Sequence, residues 1–349
     1  MWGDACCRNG RQKEKKLIIM LLVLAAGLLG LGVILENKSE IMVLLPSVGG
    51  DVFWSDCTVG AETEIIWDDG TIYLAENGTL TEVSPVTGGM EPLALGETVT
   101  LRSGFVTAAY EPLSRQVYLP ETKRHISFPG SVAALSVGTE KYLAAIISCS
   151  GYRTKTVIFD DTGETVGEIA LKDKTMVATA FMEEDTVLAA LCLRDGGTWE
   201  LSRYTSSGEL QTTIPLNAAL CYGLQTAGDN AAVETEAGIL IYTPDGRLTE
   251  IPAENIHAWT LTKHGNVLLI DNNFLKTYLP DGTAFAETQL DYVPRTMLLS
   301  GNTIYILFGE GVGIYDTRCR ELDFHEDGAK AAGMILADRS CLLFPHSGT

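Results

Sequence analysis

Along most of this chain, apolar and polar positions alternate over short stretches separated by polar turns, and no long stretch follows the period of a helix. Residues 256–290 show the pattern best, with four apolar or alternating segments at Ile256–Thr262, Val267–Ile270, Phe274–Leu279 and Thr283–Leu290. Alternation with period two is typical of a strand covered on one face, and a short continuous apolar run is typical of a strand covered on both. The pattern therefore predicts a unit of four strands.

The unit recurs, and its clearest marker is the phrase Tyr-x-Pro-Asp-Gly, which begins at Tyr242 and at Tyr278. Proline fixes φ and glycine tolerates a positive φ, so the phrase predicts a hairpin turn after a strand. Weaker copies begin at six other aromatic residues: Tyr73, Tyr118, Phe159, Tyr204, Tyr315 and Phe344. The eight aromatics lie 29 to 45 residues apart, close to the roughly 40 to 50 residues of a propeller blade. The chain is predicted to be an all-β propeller of four-stranded antiparallel blades, with seven blades expected and eight as the alternative.

The second strand of the unit is apolar at successive positions in several copies, which an antiparallel sheet requires only where both of its faces are covered. Such runs occur at Leu143–Ile147, Val187–Leu191 and Ile304–Phe308. Each propeller blade is sandwiched between two others, so the runs favour this architecture. The last two predicted strands, Met334–Leu336 and Cys341–Phe344, leave a unit incomplete. We expect them to close the ring with N-terminal strands around Val52–Gly70.

The longest apolar run, Leu17–Leu35, contains 19 uncharged positions, enough at 1.5 Å per residue to cross a hydrocarbon core of about 30 Å. Five basic residues precede it, which places the N-terminus in the cytoplasm. A cleaved signal peptide is disfavoured because the run is long and no small-x-small site follows it. We expect a single-pass cell-membrane protein with a basic cytoplasmic tail at 1–16, a transmembrane helix at 17–35, a linker at 36–50 and an extracytoplasmic propeller at 51–349.

The formal net charge is −20, and it is unevenly distributed. Residues 1–16 carry five basic and two acidic side chains, a local charge of +3, so the remainder carries −23. A domain this acidic repels phosphate backbones, which argues against nucleic-acid binding and against docking onto an anionic lipid surface. The expected contact with the membrane is therefore the N-terminal helix.

Repeats of this length, with Tyr-x-Pro-Asp-Gly turns, central aliphatic strands and an N-terminal anchor, resemble the quinoprotein-like and WD-like β-propeller superfamily, in particular its membrane-anchored bacterial members of unknown function. The resemblance covers about residues 51–349 and implies only the fold, because propellers host enzymes, scaffolds and binding modules alike. Quinoprotein dehydrogenases of this broad fold use a vicinal disulfide, tryptophan-rich repeats and calcium-binding carboxylates. Here the only adjacent cysteines, Cys6 and Cys7, precede the apolar run, and the five tryptophans form no repeated motif. No cofactor is expected.

Candidate chemistry is sparse, and we predict no catalytic or metal-binding residues. Acidic clusters occur at Asp68–Asp69, Asp160–Asp161, Glu183–Asp185 and Asp271. None has the ligand spacing of a calcium loop, and all fall at predicted turns, where Asp commonly caps its own backbone. The five histidines are scattered without zinc-site spacing, and the chain has neither a nucleophile elbow nor a phosphate-binding loop.

Six cysteines follow the apolar run: Cys57, Cys149, Cys192, Cys221, Cys319 and Cys341. An exported domain permits disulfides, and an even count invites pairing. A bond between Cys57 and Cys341 would lock the closure between the two ends of the ring. It is the one candidate disulfide drawn from the sequence.

Two functions are consistent with these patterns. The first is a membrane-tethered binding or scaffold module for a protein, a peptide or an envelope glycan. The alternative is an extracytoplasmic hydrolase or lyase with acidic residues at the central channel. Three or more acidic, His or Arg side chains in mutual hydrogen-bond reach at a channel mouth would favour the enzyme.

Overall fold

The computed structural model describes residues 51–55, 57–60, 62–83, 90–337 and 340–345, with the side chains of residues 90 and 91 left out. All of these residues lie within the unit Pro46–Thr349. The predicted cytoplasmic tail, transmembrane helix and linker fall outside them, so these three assignments stay predictions. Within the described part of the chain, no helix has the length and apolar character needed to cross a membrane.

The described residues form 31 strands and one short 3-10 helix, Glu326–Lys330. The strands up to the fourth blade are β1 Val52–Trp54, β2 Glu64–Asp68, β3 Thr71–Glu76, β4 Thr79–Val83, β5 Met90–Ala94, β6 Thr100–Arg102, β7 Ala108–Tyr110, β8 Gln116–Leu119, β9 Arg124–Ser127, β10 Ser131–Val137, β11 Leu143–Ser148, β12 Thr154–Phe159, β13 Thr165–Leu171, β14 Lys174–Met182, β15 Val187–Arg194, β16 Trp199–Thr205 and β17 Leu210–Leu216. The remaining strands are β18 Cys221–Ala227, β19 Asn230–Thr235, β20 Gly238–Tyr242, β21 Leu248–Pro252, β22 Ile256–Leu261, β23 Val267–Asp271, β24 Phe274–Tyr278, β25 Ala284–Gln289, β26 Pro294–Ser300, β27 Thr303–Phe308, β28 Val312–Asp316, β29 Glu321–His325, β30 Ala331–Ala337 and β31 Ser340–Pro345.

Seven sheets each contain four strands that are consecutive in sequence, from β2–β5 in blade 1 to β26–β29 in blade 7. The eighth sheet has the order β1-β31-β30 and closes the ring. The first strand of each blade contacts the first strands of the neighbouring blades, and β30 contacts both β26 and β2. The protein is therefore an eight-bladed β-propeller in which the first strands surround a central channel.

The closing blade confirms the expected junction between the two ends of the propeller. Strand β1 pairs in parallel with β31, with Val52 opposite Cys341 and Trp54 opposite Leu343. Only Val52–Trp54 joins the C-terminal strands, because Glu64–Asp68 begins blade 1. The expectation of seven blades is wrong and the alternative of eight is confirmed. The aromatic residue counted for blade 1, Tyr73, lies on its second strand, because its third strand, Thr79–Val83, carries no aromatic-turn phrase.

The hydrophobic core is divided into eight clusters, one between each pair of neighbouring blades. Strand β23 shows why the second strands are continuously apolar. Val267 and Leu269 pack towards blade 5, whereas Leu268 and Ile270 pack towards blade 7. Successive residues of a strand point to opposite faces, so a blade with two neighbours buries all of them.

The ring has two faces that differ in the loops they carry. The face where the first strands begin, here called the front face, carries the connections between blades and the loops between second and third strands. The face where the first strands end, the back face, carries the turns between first and second strands and between third and fourth strands. The Tyr-x-Pro-Asp-Gly phrases form turns between third and fourth strands on the back face, with Gly246 at φ 83° and Gly282 at φ 81°.

Candidate functional site

Six of the first strands contain a β-bulge near the front face, at the same place in each blade. The residues without a partner on the second strand are Ala133, Val177, Tyr222, His257, Arg295 and Ala332. All except the half-buried Ala332 are exposed. A bulge re-aims a side chain that regular pairing would bury. The bulges therefore re-aim one side chain near the front face in each of these six blades.

The bulge residues differ in chemical type between the two sides of the ring. Blades 3, 4 and 8 contribute alanine or valine, whereas the consecutive blades 5, 6 and 7 contribute Tyr222, His257 and Arg295. Tyr222 is 62% exposed although it belongs to an innermost strand. Because the backbone position is repeated and the side chain is not, the differences between copies mark the sector with specific chemistry.

Exposed apolar residues lie on the blade connections that lead into this sector. Leu220 precedes blade 5, and Tyr292 and Val293 precede blade 7, with Val293 64% exposed. We call the following six residues the blade 5–7 patch: Leu220, Tyr222, His257, Tyr292, Val293 and Arg295. Tyrosine and arginine are enriched at the energetically important positions of protein interfaces, which makes the patch a candidate binding surface.

The loop that carries Leu220 is held by hydrogen bonds to its backbone N–H and carbonyl groups. Glu236 accepts the backbone N–H groups of Ala219 and Leu220 at 2.7 and 2.9 Å. These two bonds lower the pKa of the Glu236 carboxyl. The indole of Trp199 donates to the carbonyl of Ala219 at 3.1 Å. Leu220 is therefore exposed on a fixed backbone.

The connection before His257 is fixed in the same manner by an acid from its own blade. Asp271 accepts the N–H groups of Glu254 and Asn255 at 3.2 and 3.0 Å and pairs with the Lys276 ammonium at 2.8 Å. Burial alone would raise the pKa of Asp271, but the bonds to Lys276 and to the two amides lower it overall. The carboxylate thus remains charged and holds the loop in place.

The blade 7 end of the patch is anchored to the closing blade. Arg295 donates from its guanidinium to the carbonyls of Ala331 and Ala332, at 2.9 and 3.2 Å. The ring of Tyr292 lies 5.8 Å from that of Phe308 and 5.3 Å from that of Phe324, between ring centroids. The side chains of Arg295 and Tyr292 are therefore held in place before any partner arrives, which reduces the entropy that binding removes.

The back end of the channel holds a cavity of about 410 Å³, walled mainly by serine, threonine, glycine and apolar residues from blades 2 to 5. Ser136 on blade 3 donates to the carbonyl of Thr179 on blade 4 at 2.8 Å, and Thr226 on blade 5 donates to the carbonyl of Phe181 at 2.5 Å. These bonds join neighbouring first strands. Among the described residues, Glu183 at this mouth forms an ion pair with Arg203 of the third strand of blade 4.

The acidic clusters noted in the sequence are used within the fold. Asp160 accepts the N–H groups of Thr162 and Glu164, both at 2.9 Å, so it caps its own turn as predicted. Asp68 accepts the hydroxyl hydrogen of Thr107 from blade 2. Asp185 reaches blade 3, where it accepts four backbone N–H groups of residues 139–142 at 2.8 to 3.3 Å. Across the described residues, no group of three His, Cys, Asp or Glu side chains is arranged to hold a metal ion.

One group of reactive side chains lies between blades 3 and 4 and is buried. Lys174 pairs with Glu200, and the hydroxyl of Ser202 lies 3.4 Å from the ammonium. Burial opposes charge on Lys174, but the bond to Glu200 outweighs it and raises the pKa of the ammonium. Burial also raises the pKa of the neighbouring Cys192 thiol to about 12. A protonated lysine and a protonated thiol are neither base nor nucleophile at neutral pH, so this group is structural.

The six cysteines that follow the apolar run are all free thiols. Cys341 lies in the cluster between blades 7 and 8, where burial raises its pKa to about 12. Cys57 packs against the cluster on the other side of the closing blade, between blades 8 and 1. The sheet of that blade separates the two side chains, so the geometry gives the Cys57–Cys341 bond no support and it stays a prediction.

No protein-family model matches the chain, and no curated protein sequence matches it significantly. Solved structures share its fold at low identity. The Dos1 propeller is similar with a TM-score of 0.57 and 10% identity over 75% of this chain and 80% of that chain. AztD from Citrobacter koseri gives 0.52 and 12% over 82% and 90%, and BamB from Moraxella catarrhalis gives 0.51 and 10% over 81% and 90%. At these identities the likeness shows the β-propeller fold.

Sequence reasoning did not single out any residue of the patch. The signal that could have found it is the alignment of the first strands of the repeats, in which Tyr222, His257 and Arg295 replace the alanine or valine of other blades. That alignment requires the bulge, which shifts each strand by one position relative to a regular alternation.

Proposed function

We propose that this protein is a non-enzymatic binding module, tethered to the membrane by its N-terminal apolar segment, with a propeller outside the cytoplasm that binds a protein or peptide through the blade 5–7 patch. The observation that carries the proposal is the concentration of exposed tyrosine, arginine and aliphatic side chains on one sector of the front face, on loops held by hydrogen bonds. Rigid aromatic anchors bind a partner with little loss of side-chain entropy.

The tether rests on the sequence. Residues 17–35 are uncharged and apolar, and the basic residues lie before them. Such a segment supports a membrane span with the N-terminus inside. A propeller held at the membrane surface then presents one rigid face to partners in the same compartment.

The charges around the patch indicate the chemistry of the partner. Glu236, Glu254 and Asp291 are exposed beside it, and the chain as a whole carries a net charge of −20. Rim charges of one sign steer partners of the opposite sign and exclude like-charged ones. The favoured partner is a protein segment with an aromatic or aliphatic anchor flanked by lysine or arginine, and an envelope glycan is the alternative occupant.

Site-specific photo-cross-linking in intact cells tests the proposal. A photoreactive amino acid replaces Tyr222 on the front face, and in a matched control it replaces Asp229, an exposed residue on the back face of the same blade. We expect a cross-linked, protease-sensitive product at position 222 that is absent at 229 and weakens as salt rises.

Three outcomes contradict or redirect the proposal. Equal products at both positions, or none at 222, would exclude a binding surface at the patch. A product at 222 that resists protease but not glycosidase would transfer the surface to the glycan.

A further inference from the structure

A second cavity, of about 440 Å³, lies between blades 1 and 2, away from the channel and from the blade 5–7 patch. Its walls come from the outer edge of blade 1, at Ala94 and Leu95, and from the second, third and fourth strands of blade 2. The volume falls within the range of small-molecule pockets, about 300 to 1,000 Å³.

The cavity exists because blade 2 is short. Its strands β6 to β9 contain three or four residues each, whereas the strands of blade 4 contain seven to nine. The cluster between blades 1 and 2 is correspondingly small, with five buried members. Short strands leave the front half of this blade junction without core side chains, and the gap remains open.

The loop that forms the upper wall, residues 111–115, is rigid and strained. Leu113 has a positive φ of 69°, a conformation that is strained for a non-glycine residue. Three backbone bonds to the chain beyond it hold this conformation: Leu113 N–H to the carbonyl of Val132 at 2.8 Å, Val132 N–H to that of Ser114 at 2.7 Å, and Phe128 N–H to that of Arg115 at 2.8 Å. The loop therefore presents the Arg115 side chain from a fixed position.

Polar side chains line the cavity, and its acidic residue, Glu111, is already engaged. Glu111 accepts the N–H of Glu97 at 2.8 Å and packs against Gly96, where an added Cβ would lie 2.2 Å from the carboxyl carbon. Among the described residues, by contrast, the Arg115 guanidinium makes no hydrogen bond or ion pair. A guanidinium has five donors in a planar fork that matches a carboxylate or a phosphate.

Two aromatic rings also line the cavity. The rings of Tyr118 and His125 lie 4.7 Å apart between centroids, tilted by 40°. Aromatic faces of this kind stack on planar ligands, and the apolar floor of Ala94, Leu95 and Ala109 suits a hydrocarbon body. The cavity thus combines one guanidinium with two aromatic rings and a floor of small apolar residues.

We propose that the cleft between blades 1 and 2 binds a small molecule that carries a carboxylate or phosphate on a planar ring, with the anionic group on Arg115 and the ring against Tyr118 and His125. The site is separate from the blade 5–7 patch. The proposal for this cleft does not depend on the partner proposed for the blade 5–7 patch.

Calorimetric titration of the full-length chain in detergent tests the site with defined probes: 4-hydroxybenzoate, phenyl phosphate, inorganic phosphate and the neutral 4-hydroxybenzyl alcohol. We expect one of the two ring-bearing anions to bind at least about tenfold more tightly than both the neutral alcohol and inorganic phosphate. The carboxylate and phosphate arms decide which anion the site prefers.

Variants locate the binding. Arg115→Gln should weaken binding by about tenfold or more, and Arg115→Lys should restore it only in part because the fork is lost. The matched control is Arg153→Gln, in the equivalent loop of blade 3, where the native arginine pairs with Asp195; it should leave binding unchanged. Equal effects of R115Q and R153Q, or no ring-bearing anion binding below about 10 mM, would overturn the proposal.

Discussion

The two faces of the ring are built from similar loops but use their side chains differently. Exposed large hydrophobic residues occur on the front-face loops, at Leu113, Tyr152, Leu220, Tyr292 and Val293. Among the described residues, the back-face loops contain none of the exposed large hydrophobics. Exposed hydrophobic residues at the back-face ends of fourth strands, such as Leu210 and Leu248, lie on the strands themselves. The contrast between the two faces is therefore a contrast between their loops.

Carboxylates accept backbone hydrogen bonds on both faces, but the segments that they fix differ. On the front face, Glu236 and Asp271 fix connections whose neighbouring side chains are exposed. On the back face, Asp185 is 1% exposed and ties the turn of blade 4 to that of blade 3. The back-face acid joins two blades, whereas the two front-face acids hold loops that present exposed side chains. Each prediction below tests this division.

The largest effect is expected for Asp185→Asn on the back face. One oxygen of Asp185 accepts three backbone N–H groups, and the other accepts that of Thr139. An amide replaces one acceptor with a donor that faces N–H groups, and asparagine tolerates the native φ of 63°. We expect the free energy of unfolding in urea to fall by about 3 kcal/mol.

The matched control for this change is Asp229→Ala, on the exposed turn of the next blade, which should shift stability by less than about 0.5 kcal/mol. Cross-linking at position 222 should persist in D185N at temperatures where the variant is folded. Loss of the cross-link from the folded variant would show that the two faces are not independent.

A smaller effect, on binding and not on stability, is expected for Tyr222→Ala on the front face. The side chain is 62% exposed, so its truncation removes little from the core. Interface tyrosines cost about 2 kcal/mol when truncated, which corresponds to a roughly 30-fold loss of affinity. Affinity for the partner recovered by cross-linking at position 222 measures the loss, and urea unfolding should be unchanged. Destabilisation without loss of affinity would assign Tyr222 to the fold.

Two glycines give a paired test with opposite signs. Gly246 on the back face has φ 83°, and Gly309 on the front face does not have a positive φ; an added Cβ meets nothing within 4 Å at either position. The effect of alanine is therefore a backbone effect alone. Gly246→Ala should destabilise by about 1 kcal/mol, and Gly309→Ala should be neutral or stabilise by a few tenths. Destabilisation of both by equal amounts in thermal or urea unfolding would refute the turn assignment at Gly246.

The sequence predicted the repeat more reliably than the position of its marker. Six of the eight aromatic phrases, from Tyr118 to Tyr315, do end third strands, in blades 2 to 7. Tyr73 and Phe344 instead lie on second strands, so the count of eight was right although two of its members were misplaced. Local turn chemistry identifies a hairpin but does not say which hairpin of the blade it is.

The two candidate sites could not be predicted from the sequence, because their residues are brought together only by the fold. The buried second strands were predictable because burial on both faces leaves a continuous apolar run, as at Val267–Ile270. Tyr222, His257 and Arg295 lie 35 to 38 residues apart and share a site only through the bulge and the curvature of the ring. The cleft at Arg115 depends on what blade 2 lacks, which no residue type signals.

The smallest effect is expected for Glu121, a back-face acid whose charge its surroundings oppose. Glu121 accepts the N–H of Thr107 at 2.9 Å, and the hydroxyl of the same Thr107 donates to Asp68. Burial, followed by the neighbouring Asp68, raises the pKa of Glu121 in the folded protein. A carboxyl whose pKa is raised on folding contributes stability below its unfolded pKa, and that contribution is lost as pH rises through the folded pKa.

Glu121→Gln replaces the carboxyl with a neutral amide that does not titrate. The free energy of unfolding of the variant minus that of the wild type should therefore be larger at pH 7, where Glu121 of the wild type is charged, than at pH 4. The comparison of differences cancels the titration of all other groups that the two proteins share. Urea midpoints at the two pH values measure it, with Glu164→Gln in a back-face turn of the next blade as the control. A variant that is less stable than wild type at pH 7 but not at pH 4 would mean that charged Glu121 is stabilising. The back face would then hold its blades through this acid as well.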